Sequence, residues 1–164
     1  MSEILHAWAV APAAVGACCL AADRARVRPP EVAASVLMLL AMLDAALFAV
    51  IPAVYWAVLL VASALGLAVW RRPRRRSAPR EPAAMTMHTT LGMIVMAGLQ
   101  VGMGAHAGST AHTHGVALTP FLLSVVLGYA VVSVLVLGSM RARLDRAQIL
   151  AMTASVMLMA GAVV

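Results

Sequence analysis

The chain has 164 residues, of which 63% are hydrophobic and only 11% are charged. A soluble domain of this length needs a polar surface that such a composition cannot supply, so the composition predicts an integral membrane protein. The net charge of +6 would suit nucleic acid in a soluble protein, but all twelve cations are arginines in three clusters between apolar runs, which excludes a nucleic-acid-binding surface.

Six apolar runs predict six transmembrane helices, each near the length of about 20 residues that spans a bilayer. The first run covers residues 4–22 and ends in a charged turn before Pro29 and Pro30. The second and third runs, residues 32–51 and 53–70, are separated only by Pro52. One helix over both would be too long for a bilayer, so Pro52 predicts a tight hairpin.

Residues 71–82 are rich in arginine and proline and are predicted to form a cytoplasmic loop facing an anionic leaflet. The fourth run covers residues 84–103 and is followed by a His-rich stretch, residues 104–117. The last two runs cover residues 118–138 and 146–164. We therefore expect a single transmembrane domain.

The arginines predict the topology. They fall at residues 24–28, 71–80 and 141–146, and none falls near Pro52 or in residues 104–117. Because cytoplasmic loops carry the positive charge of a membrane protein, both termini and the His-rich loop are expected outside. The aromatic residues agree with this topology, because it places Trp8, Tyr55 and Trp56 at the outer interface and Trp70 at the inner one, as an aromatic belt. The prediction is an all-α, multi-pass bundle in a bacterial inner (plasma) membrane.

Methionine and histidine recur on one face of the fourth helix. At 100° per residue, one stripe contains Met85, His88, Gly92, Met96, Leu99, Met103 and His106. Thioether and imidazole ligands favour soft or borderline metals, copper above all. The His-rich loop adds an H-x-H pair, so the sequence predicts that copper or a similar metal binds at the outer face through four residues: Met103, His106, His112 and His114.

The alternative interpretation of the same helix is close packing, because methionines fill gaps in apolar cores. Gly98 and Gly102 form a small-xxx-small pair, which is typical of helices that approach each other closely. On this interpretation the protein is a non-catalytic accessory or scaffold subunit that packs against a larger membrane complex, or against itself.

Three of the polar residues inside predicted membrane spans are candidates for a functional role, namely Asp44, His88 and Gln100. Intramembrane polar residues are costly and should face the bundle interior. Gln100, His6 and His106 are candidate partners for the Asp44 carboxylate. The further alternative is a small oligomeric transporter that uses Asp44 and His88.

Catalysis is not expected, because the chain has no phosphate loop, no paired acids and no Ser/His/Asp arrangement. The run MTMHTTLGMIVMAG, residues 85–98, resembles the His-then-spaced-Met helix of a family of small polytopic membrane proteins of unknown function from high-GC actinobacteria. Leu91 departs from the spacing, where the resemblance would place a methionine. The resemblance implies a membrane location and a six-helix fold, and it implies no activity.

Overall fold

A computed structural model describes residues 2–22, 29–71, 80–108 and 115–163, and this part of the chain is helical with no strand. Its six helices are α1 (Ser2–Ala22), α2 (Pro29–Leu43), α3 (Ala53–Arg71), α4 (Arg80–Gly108), α5 (Gly115–Ser139) and α6 (Arg143–Val163). A π-helical turn, Asp44–Phe48, continues α2. The prediction of an all-α fold is confirmed.

Four helices are long enough and apolar enough to cross a membrane, which indicates a membrane protein. Their apolar stretches are Pro29–Phe48, Ala53–Trp70, Ala83–Gly104 and Thr119–Ser139. Within the described residues, α1 has a shorter apolar stretch, Trp8–Cys19, and α6 is not among the four. The six spans of the sequence analysis are therefore supported for four helices.

α4 is the central helix of the bundle. It packs against α2, α3, α5 and α6, whereas α1 packs mainly against α6 and α2. The stretch of α4 that could cross a membrane is 61% buried, against 28% for that of α5. α4 is also 29 residues long, so it extends at both ends beyond the predicted residues 84–103.

Contacts between residues of neighbouring helices give their directions. Gly92 lies beside Tyr129 and Gly98 beside Leu122, so α4 and α5 are antiparallel. Gly16 lies beside Ala151, while Ser155 donates a hydrogen bond of 2.7 Å to the Ala9 carbonyl, so α1 and α6 are antiparallel as well. We name the two ends of the bundle the Asp44 end, at the α2–α3 turn, and the Glu31 end, at the start of α2, after two of the buried acids.

The α2–α3 connection is longer than the sequence predicts, because four residues, 49–52, separate the two helical runs where the sequence predicts Pro52 alone. The helical run ends at Phe48, and Ala49 adopts a left-handed conformation with φ 48° and donates to the Asp44 carbonyl at 2.6 Å. Pro52 disfavours helical backbone at the preceding residue, which explains why Ile51 lies outside the helix. α3 then begins at Ala53.

Methionines fill much of the core around α4. Met42, Met93, Met96 and Met159 are fully buried in one cluster, and Met85 packs in a smaller second cluster with Val136, Met140 and Ile149. Large apolar side chains on the outward faces of α3 and α5 are exposed, among them Val58, Leu65, Val131 and Leu135. That distribution suits a bundle whose outer surface contacts lipid.

Candidate functional site

His88, at the centre of the interior, is completely buried. Its Nε2 atom lies 3.0 Å from the Ser133 hydroxyl and 3.0 Å from the Tyr129 hydroxyl, both on α5. The His88 and Tyr129 rings also contact each other, with centroids 5.1 Å apart. This group, His88, Tyr129 and Ser133, is the His88 cluster, and it joins α4 to α5.

Gly92 makes room for this cluster. A Cβ atom at Gly92 would lie 3.0 Å from the Tyr129 hydroxyl and 3.5 Å from the Met152 methyl carbon. Contacts of 3.0 Å are tighter than real Cβ atoms normally make. Because Gly92 has no side chain, the Tyr129 ring can lie against α4, next to His88.

Within the described part of the chain, the Nδ1 atom of His88 has no hydrogen-bond partner. In a neutral imidazole one nitrogen donates and the other accepts, and Ser133 donates its own proton to the Tyr129 carbonyl at 2.8 Å. Whichever tautomer is present, no described protein group satisfies the polar atom Nδ1. A buried polar group without a partner costs about 1–3 kcal/mol, which a single buried water would offset.

The second buried polar site is the carboxylate of Asp44. It accepts hydrogen bonds from the backbone N–H groups of Val50 and Ile51 at 3.2 Å each, and from the indole N–H of Trp56 at 2.7 Å. These three donors lie in the turn and in the first helical turn of α3. The described partners of Asp44 are therefore hairpin groups and not Gln100, and the carboxylate holds the hairpin closed.

Two further polar contacts connect α4 to α2. Glu31 accepts a hydrogen bond from the Thr86 hydroxyl, and both side chains are buried. Gln100 donates to the Ala41 carbonyl at 3.2 Å. These contacts lie near opposite ends of the bundle, so they fix the alignment of α2 along α4.

The polar groups of α4 do not form a continuous path. Between His88 and Gln100 the helix rises about 18 Å. Beyond Thr89, the buried residues of that interval are all apolar: Gly92, Met93, Val95, Met96, Ala97 and Leu99. Asp44 lies at the far side of this apolar layer from His88. Among the described residues, this apolar layer separates Asp44 from His88.

Both predicted packing glycines lie inside the chain's own interfaces. A Cβ at Gly98 would lie 3.3 Å from the Leu122 side chain of α5, and Gly102 is buried. A second small-xxx-small pair, Ser124 and Gly128 on α5, is exposed. A Cβ at Gly128 would meet no atom within 4 Å.

The predicted metal site falls mostly outside the described residues. His112 and His114 are among residues 109–114, and the side chain of His106 lies outside the described part as well. Met103 is half-buried and packs against the main core. Within the described residues, no three His, Cys, Asp or Glu side chains come together in a way that could hold a metal ion.

Several residues of these sites escaped the sequence analysis. Tyr129 and Ser133 are spaced i, i+4 in a mainly apolar helix, and that spacing places two polar groups on one face. Glu31 could have been found in the sequence as an acid in the first turn of α2. Trp56 was expected in an aromatic belt, but it is buried and bonded to Asp44.

Comparisons with known proteins give no further indication of function, because no family model, curated protein or solved structure matches the chain. The resemblance of residues 85–98 to the actinobacterial family therefore stays a prediction.

Proposed function

We propose that the chain is a non-catalytic accessory subunit that packs against a membrane-spanning helix of a larger complex in a bacterial inner membrane. In this proposal all six helices cross the membrane and both termini lie outside. The antiparallel order of neighbouring helices supports an up-and-down bundle, and the confinement of all twelve arginines to alternate connections supports the orientation.

One observation carries the proposal: the exposed face of α5 holds an open small-xxx-small pair, Ser124 and Gly128. Close approach of two helices in a membrane requires small residues at the contact, because no hydrophobic effect drives apolar helices together in lipid. The Gly98/Gly102 pair is already used by the chain's own packing. We therefore assign the association surface to α5 and not to α4.

The interior supports the same proposal indirectly. The described contacts of Asp44, Gln100 and Ser155 connect parts of the chain to one another. The layer of methionines between His88 and Gln100 separates the polar groups of α4. A transporter needs a polar site that both sides of the membrane can reach in turn, and this bundle is arranged more like a rigid support.

The test is a Gly128→Leu variant of the full chain, expressed in its native membrane and extracted in mild detergent. Wild-type protein should migrate in a complex larger than the monomer, and the variant should migrate as a folded monomer. Gly161→Leu on α6 is the matched control, because Gly161 is equally exposed and open but has Met157 four residues earlier on its face.

Two results would contradict the proposal. One is a complex that survives Gly128→Leu. The other is a larger species that contains only copies of this chain, since that would make the protein a self-associating unit and not an accessory subunit.

A further inference from the structure

The contact between α2 and α4 at the Glu31 end encloses a carboxylate. Glu31 is only 2% exposed and accepts a hydrogen bond from the buried hydroxyl of Thr86. Toward the other end of the same pair of helices, Gln100 contacts Ala41, so α2 and α4 run in the same direction. A carboxylate held between two packed helices has lost most of its hydration, which is costly unless its charge is compensated.

Ser35 brings a second oxygen to this contact. It stands one turn after Glu31 on the same buried face of α2 and is 6% exposed. Residues four apart on a helix have Cβ atoms about 5–6 Å apart, so the two side chains are neighbours in the interior. Within the part of the chain that the structure describes, the Ser35 hydroxyl has no hydrogen-bond partner.

Comparable hydroxyls elsewhere in the bundle are bonded to their own helix. Thr89 and Thr90 on α4 donate to the carbonyls four residues earlier, at 3.1 Å and 2.8 Å, and Thr153 on α6 does so at 2.8 Å. A serine inside a helix can make the same bond. Ser35 does not make it, although the carbonyl of Glu31 stands in the equivalent position. Its hydroxyl is therefore available to a ligand that lies in the interior.

The chemistry of these groups indicates the ligand. Carboxylate and hydroxyl oxygens suit hard cations, and a hydroxyl keeps two acceptor lone pairs when it donates its proton, as Thr86 does. One monovalent cation neutralises one carboxylate. A divalent cation would instead leave an excess positive charge inside the bundle, because the contact contributes a single acid.

We propose that Glu31, Ser35 and Thr86 bind one sodium ion between α2 and α4. The ion neutralises the buried carboxylate, pairs with the Ser35 hydroxyl and holds α2 against α4. The proposal is independent of the accessory role assigned to α5, since it concerns an internal contact of the bundle.

Binding of radioactive sodium to the purified full chain in mild detergent, measured by scintillation proximity, tests the proposal. We expect saturable binding of one sodium ion per chain. Unlabelled sodium chloride should displace it, whereas choline chloride at the same ionic strength should not. The absence of saturable binding would overturn the proposal, since the Glu31 charge would then be neutralised by a proton or by another side chain.

Two variants locate the ion. Glu31→Gln should abolish sodium binding, because the amide can still accept the hydrogen bond from Thr86 but carries no charge. Ser35→Ala should weaken the binding by roughly tenfold or more, the effect of losing one polar contact to a charged group. It also decides the question if Glu31→Gln does not fold.

Ser155→Ala is the matched control, because it removes a buried hydroxyl from α6 that donates to the Ala9 carbonyl. It should bind sodium like the wild type. Sodium binding that Ser35→Ala leaves unchanged, or that Ser155→Ala weakens to the same extent, would overturn the proposed site.

Discussion

α4 and α5 are neighbouring helices that carry the same packing signal with opposite outcomes. Each has a small-xxx-small pair, Gly98 and Gly102 on α4 and Ser124 and Gly128 on α5. The pair on α4 packs inside the chain, and the pair on α5 is exposed. Of the four helices that could cross a membrane, α4 is the least apolar and the most buried, whereas α5 is the most apolar.

The difference shows how a helical bundle in lipid distributes its side chains. Polar groups are buried against other helices because lipid offers them no hydrogen-bond partner. α4 therefore holds Thr86, His88, Thr89 and Gln100 at the centre, while α5 exposes valine and leucine. A small-xxx-small pair on a buried polar helix packs against the chain's own helices. The same pair on an apolar outer helix can pack against a helix of another molecule.

The largest expected difference between the two helices comes from removing side-chain volume. Met96→Ala on α4 should lower the free energy of unfolding by about 2–5 kcal/mol, because a fully buried side chain leaves a cavity. Leu127→Ala on α5 should change it by less than about 0.5 kcal/mol, because this side chain is 58% exposed. Reversible unfolding in mixed micelles measures both, and equal losses would mean that α4 is not the core helix.

Adding volume at the two glycines gives the next largest effect. Gly98→Leu should cost about 1–3 kcal/mol, since the added side chain would collide with Leu122. Gly128→Leu should leave the free energy of unfolding unchanged, although it should remove the association. If the two variants lose the same free energy of unfolding, the Ser124/Gly128 pair contributes to the fold, and the contrast drawn between α4 and α5 is wrong.

A smaller effect is expected in the His88 cluster, which joins the two helices. Tyr129→Phe should cost about 0.5–1.5 kcal/mol, because it removes a buried hydrogen bond to His88. The loss should largely disappear when His88 is first replaced by leucine, as a double-mutant cycle would show. Tyr55→Phe is the control, since Tyr55 is 66% exposed.

The smallest effect on stability concerns the three histidines in the last turn of α4 and in the connection to α5. A His106/His112/His114→Ala variant should unfold like the wild type. Copper titration of the two purified proteins tests the prediction made from the sequence. Stoichiometric copper binding by the wild type that the variant loses would establish a metal site at these histidines. Wild-type binding no stronger than that of the variant would rule that site out.

The sequence is sufficient to predict the all-α fold, because long apolar runs punctuated by arginine and proline leave few alternatives. It also predicts that Met85, His88 and Met96 share one face, and all three are buried. Which glycine pair faces inward could not be predicted, since helical spacing fixes which residues share a face but not what covers that face. The partners of Asp44 were missed because a π-helical turn and a left-handed Ala49 have no clear sequence signature.

The most direct test of the central claim uses a photo-crosslinking amino acid at two matched valines in native membranes. Val131 lies on α5, one turn from Gly128, and is 60% exposed, while Val58 on α3 is 63% exposed. We predict a crosslinked protein of one defined size from position 131 and only lipid adducts from position 58. Lipid adducts alone from both positions would contradict the assignment of α5 as the surface through which this protein acts.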